Sequence, residues 1–148
     1  MTRSFECHAS RSCDASVEEV MAAITAPHRR SSWQPEIVAM RGPEKLGAGD
    51  EQEGDAKMLG FRVQGKSTAV RAEQRVFEED VIVGVRMRIT YEIEPTPTGS
   101  RIQHRLEADL PGGPIGGLLS LLLRWRLRQM QRASLEGLAR QAGVPPSV

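Results

Sequence analysis

The chain has almost no net charge to recruit a partner: 20 Lys and Arg against 19 Asp and Glu leave +1. Such a balance sets up no field that would attract nucleic acid or an anionic membrane over the whole surface. Cysteines number two, Cys7 and Cys13, six positions apart in one alternating segment. On a strand rising about 3.3 Å per residue they stand too far apart to bridge, so they read as small core residues in a reducing compartment. The three histidines, His8, His28 and His104, are scattered, and there is no CxxC or HExxH; no metal and no cofactor are expected. The longest apolar run, "IGGLLSLLL" from Ile115 to Leu123, falls far short of the roughly 20 residues that span a bilayer. The start, "MTRSFECHAS", has neither the basic nor the apolar region of a signal peptide. A cytoplasmic protein without stable membrane insertion is the expectation.

What is present is patterned for one domain over residues 1–148, with 39% hydrophobic and 26% charged residues. Between Arg3 and Cys13, Phe5, Cys7, Ala9 and Cys13 alternate with polar residues, the period of a half-buried strand. "SVEEVMAAI" opens with Ser16 and carries Glu19 three residues on, a capping box; Val17, Val20, Met21 and Ile24 follow on one helical face. Pro27 permits a second short helix through "HRRSSW", and Pro35 stops it by denying Gln34 the helical conformation. Thereafter Gly and Pro clusters separate runs rich in Val, Ile, Thr and Arg. They predict strands near 36–41, 49–59, 61–78, 81–86, 87–94 and 100–110. After "PGGP" (Pro111 to Pro114) a proline-free segment to Ala142 reads as one helix about 42 Å long. Its apolar arc is Leu119, Leu122, Leu123, Leu127, Met130, Ala133 and Gly137, with Arg126 in the middle.

This order predicts an α+β fold: a curved antiparallel sheet of six or seven strands, two short helices after the first strand, and a long C-terminal helix. One helix, about 10 Å wide, cannot cover a flat sheet of that many strands at about 4.8 Å spacing. The sheet must curl around the helix, and what the helix leaves unfilled becomes cavity.

Here the sequence resembles the SRPBCC, or START-like, helix-grip superfamily, which includes the birch-pollen-allergen fold and the bacterial polyketide cyclase/dehydrase group. The resemblance covers nearly the whole chain. It rests on "DASVEEVMAAITAPHRRSSWQPEIVAM" from Asp14, on "LGAGD" at Leu46 to Asp50, on the hairpin "ITYEIEPTPTGSRI" and on "LLLRWRLRQMQRASLEGLARQAG". Met21 stands where the family often has an aromatic residue, and Ala26 where it often has Asp. The resemblance implies a cavity that selects a small hydrophobic, lipid-like molecule, with a few polar groups in its wall setting orientation.

Three residues break the apolar pattern and become candidates. His104 interrupts the apolar register of "RIQHRLEADL", and its ordinary pKa near 6.5 suits it to hydrogen bonding or proton transfer. The plain alternative is a core histidine satisfied by a neighbour. Arg126 inside an apolar layer demands an anionic or carbonyl-bearing partner, either a ligand or an internal acid, unless its head reaches solvent. Tyr91 sits in the apolar register with a hydroxyl to satisfy. With Met87, Ile89, Leu106 and Met130 these three are the expected ligand-binding wall. Trp33 reads as a packing anchor for the helical corner. Leu118, Leu121 and Trp125 form a second stripe off the main arc, open to burial by the first helices or to self-association as a homodimer.

The arginines of the last helix point around its axis, which does not favour nucleic acid, and "GPEKLGAGD" lacks the context of a phosphate-binding loop. The binding or carriage of a small hydrophobic molecule bearing an acidic or carbonyl group is the reading preferred. The alternatives are a cyclase or dehydratase in which His104, Tyr91 and Arg126 act on a carbonyl, and a protein-interaction module with a filled core.

Overall fold

A computed structural model describes residues 2–111 and 113–144, with side chains described from Ser4 to Leu110 and from Gly116 to Val144. The elements are β1 (Thr2–Cys13), α1 (Val17–Thr25), a single 3₁₀ turn (Pro27–Arg29) running into α2 (Arg30–Trp33), β2 (Ile37–Arg41), β3 (Glu51–Met58), β4 (Phe61–Ala72), β5 (Val76–Ile82), β6 (Arg86–Thr96), β7 (Gly99–Pro111) and α3 (Gly113–Gln141). The seven strands form one antiparallel sheet in the order β1-β7-β6-β5-β4-β3-β2. The chain thus meanders back from β2 to β7 and closes on its own first strand. β1 and β7 pair from Thr2↔Pro111 to Cys13↔Ser100, the longest register in the sheet.

Local chemistry accounts for the corners. Ser16 Oγ accepts from the Glu19 N–H at 3.1 Å while Glu19 Oε1 accepts from the Ser16 N–H at 3.0 Å, so the capping box read in the sequence starts α1. Trp33 is buried in the helical corner, donating its indole N–H to the Ala23 carbonyl at 3.2 Å. Behind it α3 comes so close that a Cβ on Gly137 would overlap the Trp33 carbonyl oxygen. Glycine there is a condition of the packing.

Two strand boundaries differ from the sequence reading. The segments predicted as 61–78, 81–86 and 87–94 divide instead at Glu73–Arg75 and at Val83–Val85. The first turn is tied by the Glu73 N–H on the Val76 carbonyl at 2.8 Å, and the second turns on Gly84 at φ +79°. Val81 to Val85 is a run of apolar residues interrupted by one glycine, and its hydrophobicity hid the turn that the glycine makes.

The buried arc of α3 is also rotated from the predicted one. Leu123, Leu127, Met130, Ser134 and Leu138 are buried, whereas Leu119 and Leu122 are exposed. Near its N-terminus the helix therefore carries an open apolar stripe of Leu118, Leu121, Leu122 and Trp125. Neither α1 nor α2 covers it. No described helix is long and apolar enough to cross a membrane.

α3 packs chiefly on β1 and β7 and does not span the sheet. Over β3 and β4 the inward side chains are mostly small or polar: Gln52, Gly54 and Ala56 precede Met58 on β3, and Ser67 and Ala69 lie on β4. Gly54 and Gly65 face each other across these strands. Glycine in a strand interior permits a sharp bend and close backbone approach, and a Cβ at Gly54 would overlap the Ala39 carbonyl of β2. The sheet curls here, and a gap opens between its curled half and α3.

Candidate functional site

The gap is a cavity of about 60 Å³. Its apolar wall includes Met40, Met58, Met87, Met130, Ile89 and Leu106, and its polar wall Arg30, Gln34, Glu36, Gln52, Ser67, Glu79, His104, Gln131 and Ser134. Of the seven residues expected to form a binding wall, Met87, Ile89, His104, Leu106 and Met130 are brought together on it. Tyr91 and Arg126 are not among its lining residues. Tyr91 is fully buried behind His104, its Cα partner across β6 and β7, with the rings edge to face at 4.8 Å between centroids. Arg126 is half-buried, and its charge is felt by Glu36.

His104 is held in one state. Its Nδ1 lies 2.9 Å from Gln131 Nε2, which also donates to the Cys7 carbonyl at 3.1 Å and reaches the His104 carbonyl at 3.3 Å. With carbonyl oxygens on that side of the amide, the nitrogen must face them, so Nδ1 accepts and the ring proton sits on Nε2. Burial, with the Arg30 charge, pushes the imidazole down to about 3. His104 is a neutral group at physiological pH.

The strongest polar feature escaped the sequence reading. Arg30 is buried at 1% exposure beside Glu79 at 2%. Its Nη2 donates to Glu79 Oε2 at 2.6 Å and its Nη1 to Glu79 Oε1 at 3.3 Å, a two-point pair completed by Gln34 Oε1 at 3.1 Å and the Ile24 carbonyl at 3.0 Å. The guanidinium also lies over Trp33 and Phe77, at 5.2 and 5.7 Å from their ring centroids. Burial would lower its pKa, but Glu79, with Tyr91 and Glu36, outweighs that and raises it. Arg30 stays charged and its charge is spent inside the protein.

Glu36 is different. Burial raises its carboxyl above the usual range, against the lowering effects of its own backbone hydrogen bond, Arg126, Arg30 and Ser134. One oxygen meets Gln34 Nε2 at 3.4 Å and the other has no partner among the described residues. Gln52 Oε1 and Nε2 and Ser67 Oγ are likewise buried without a partner. Each such group costs about 1–3 kcal/mol if nothing satisfies it.

Glu79 had a legible signal. It alternates inward between Phe77 and Val81, the same misfit as His104, but the boundaries drawn near 78 and 81 cut that strand in two. Gln52 gave none, since Glu51 and Glu53 flank it and both faces of that stretch read as polar. Among the described residues no group of His, Cys, Asp or Glu is arranged to hold a metal ion.

A family model for polyketide cyclase / dehydrase and lipid transport proteins matches residues 4–143. The chain belongs to this family. Solved structures with the same fold include TTHA0849 from Thermus thermophilus, 19% identical with TM-score 0.77 over 93% of this chain and 97% of that one. Ara h 8.0201 is 12% identical, with TM-score 0.70 over 96% of this chain and 98% of its own. BexL, a di-domain ARO/CYC protein from the BE-7585A biosynthetic pathway, is 14% identical with TM-score 0.78 over 97% of this chain and 51% of BexL. No curated protein sequence matches the chain. The α+β helix-grip architecture expected from the sequence is thus the architecture found, and these neighbours share it.

Proposed function

We propose that this member of the polyketide cyclase/dehydrase and lipid transport family binds or carries a small hydrophobic molecule in the cavity between α3 and the curled half of the sheet. The observation that carries the reading is the wall itself. Four of the protein's six methionines, Met40, Met58, Met87 and Met130, line this one cavity. At about 60 Å³ it is well below the roughly 300–1,000 Å³ of pockets for drug-sized ligands. Methionine is unbranched and polarizable, and a wall built of it repacks around an incoming apolar group at low cost.

Carriage is favoured over cyclase or dehydratase chemistry, the other activity that the family's description names. Proton transfer needs a group that changes charge near neutral pH, together with a partner that orients it. His104 is held neutral to about pH 3, and an amide holds its Nδ1. Arg30 is committed to Glu79, and Arg126 and Tyr91 lie outside the wall.

Native mass spectrometry of the purified protein tests the reading. A retained small molecule, released by organic solvent, is expected, together with saturable binding of a neutral aromatic such as naphthalene. A protein that emerges empty and takes up no apolar compound would count against it.

A further inference from the structure

Gln52 on β3 and Ser67 on β4 are register partners, so their Cβ atoms stand about 5 Å apart on the same face of the sheet. Both line the cavity and are almost fully buried, at 2% and 3% exposure. Side chains so placed ordinarily bond each other. Here both amide heavy atoms of Gln52 and the hydroxyl of Ser67 are buried without a partner among the described residues. Between them they offer donors and acceptors on one small patch of an otherwise methionine-rich wall, opposite Met130 and Ser134 of α3.

The charges around that patch select what can sit on it. The acids of the cavity wall are Glu36, Asp55 and Glu79, and its bases are Arg30 and Lys66. Arg30 is consumed by Glu79, and Lys66 lies half out in solvent beside Glu51 at 3.2 Å. Asp55 is paired with Arg62 at 3.0 Å. Among the described residues of the wall, no buried cation is left to receive an anion.

We propose that Gln52 and Ser67 form the polar end of the binding site and take a neutral hydrogen-bonding group, a hydroxyl or a carbonyl, at the end of an apolar molecule. This rests on the reading of the cavity as a small-molecule site, and it replaces Arg126 as the element that recognises the ligand's polar atom. An amide and a hydroxyl side by side donate to a carbonyl or exchange hydrogen bonds with a hydroxyl, whereas a carboxylate would be buried with no free cation to pair it.

Three ring compounds of one size separate the outcomes: naphthalene, 2-naphthol and 2-naphthoate, titrated by fluorescence or calorimetry at pH 7. For the unmodified protein we expect 2-naphthol to bind about tenfold more tightly than either of the others. In Gln52→Met with Ser67→Ala, shape is kept and the polar atoms are lost. Its preference for 2-naphthol over naphthalene falls to about twofold, while naphthalene binds as before or better. Ser67→Ala alone, which removes one oxygen, gives a partial loss and serves if the double variant does not fold. A preference that survives both substitutions, equal binding of naphthol and naphthalene by the unmodified protein, or a preference for 2-naphthoate overturns the subsite and leaves the small-molecule reading standing. Failure of all three compounds to bind overturns that reading and the subsite with it.

Discussion

Gln131 of α3 holds His104 of β7 through a 2.9 Å contact from its amide nitrogen to Nδ1, and the same nitrogen reaches the carbonyl of Cys7 on β1. One side chain thus ties the long helix to both strands on which it rests, and decides which tautomer His104 adopts. Gln131→Leu leaves those acceptors buried and unpaired, and is expected to cost about 1–3 kcal/mol in chemical denaturation. A loss no larger than a surface substitution gives would show that the amide is not the tie.

Acid should weaken the fold through His104. The unfolded chain takes up this proton near pH 6.5 and the folded chain only near 3. Between those values the unfolded state binds more protons, so stability falls as pH falls, by up to about 1.4 kcal/mol per pH unit from this group. Glu36 works in the opposite sense: its raised carboxyl keeps a proton in the folded state at pH values where the unfolded chain has lost it. Urea midpoints measured from pH 7 to 4.5 should fall less steeply for His104→Gln than for the unmodified protein, and more steeply for Glu36→Gln. Parallel profiles for all three would refute the assignment.

Arg30 and Glu79 are worth more to each other than to the protein. Removing one partner of a buried pair leaves an uncompensated charge, so Arg30→Met should destabilise by about 3–5 kcal/mol. Adding Glu79→Leu removes that stranded carboxylate, and the double variant should recover a large part of the loss. A double variant no more stable than Arg30→Met would mean that packing over Trp33 and Phe77, not charge, is what Arg30 contributes.

Gly137→Ala forces α3 away from the Trp33 carbonyl. Overpacking at such a contact costs about 1–3 kcal/mol, even though alanine is the better helix former by about 1 kcal/mol. A lowered thermal midpoint is expected; an unchanged or raised one would show that the corner can yield.

Ser16→Ala removes the acceptor for the Glu19 N–H. About 1 kcal/mol of stability should go with it. Ser16→Asp supplies another acceptor at a helix N-terminus and should restore most of that, as read from denaturation midpoints.

The architecture was legible because it is written in periods and stops. Ser16 and Glu19 mark a helix start, Pro35 an end, and the alternation of Met87, Ile89, Tyr91 and Ile93 a buried strand face. The candidate site was legible only where a polar residue broke an apolar register, which is why His104 stood out. Arg126 stood out for the same reason, yet α3 is rotated enough to leave it half-exposed, since a helical arc read from sequence does not say which part of it the sheet covers. Arg30 could not be found at all: its burial depends on Glu79, far along the chain, and on a pairing made only when β5 passes the helical corner. Gln52 and Ser67 became visible as a pair only through the β3–β4 register.

The pairing of β1 with β7 has a cost in time. Thr2 to Cys13 finds its partner only in residues 100–111, so the first strand leaves the ribosome about a hundred residues before its neighbour exists. At about 5–20 residues per second that is a wait on the order of 5–20 s. During it the apolar row Phe5, Cys7 and Ala9 has no sheet to join, and contacts so distant in sequence are slow to form even afterwards. The strand at the end of the finished sheet is thus, in the nascent chain, the one that waits longest for its partner.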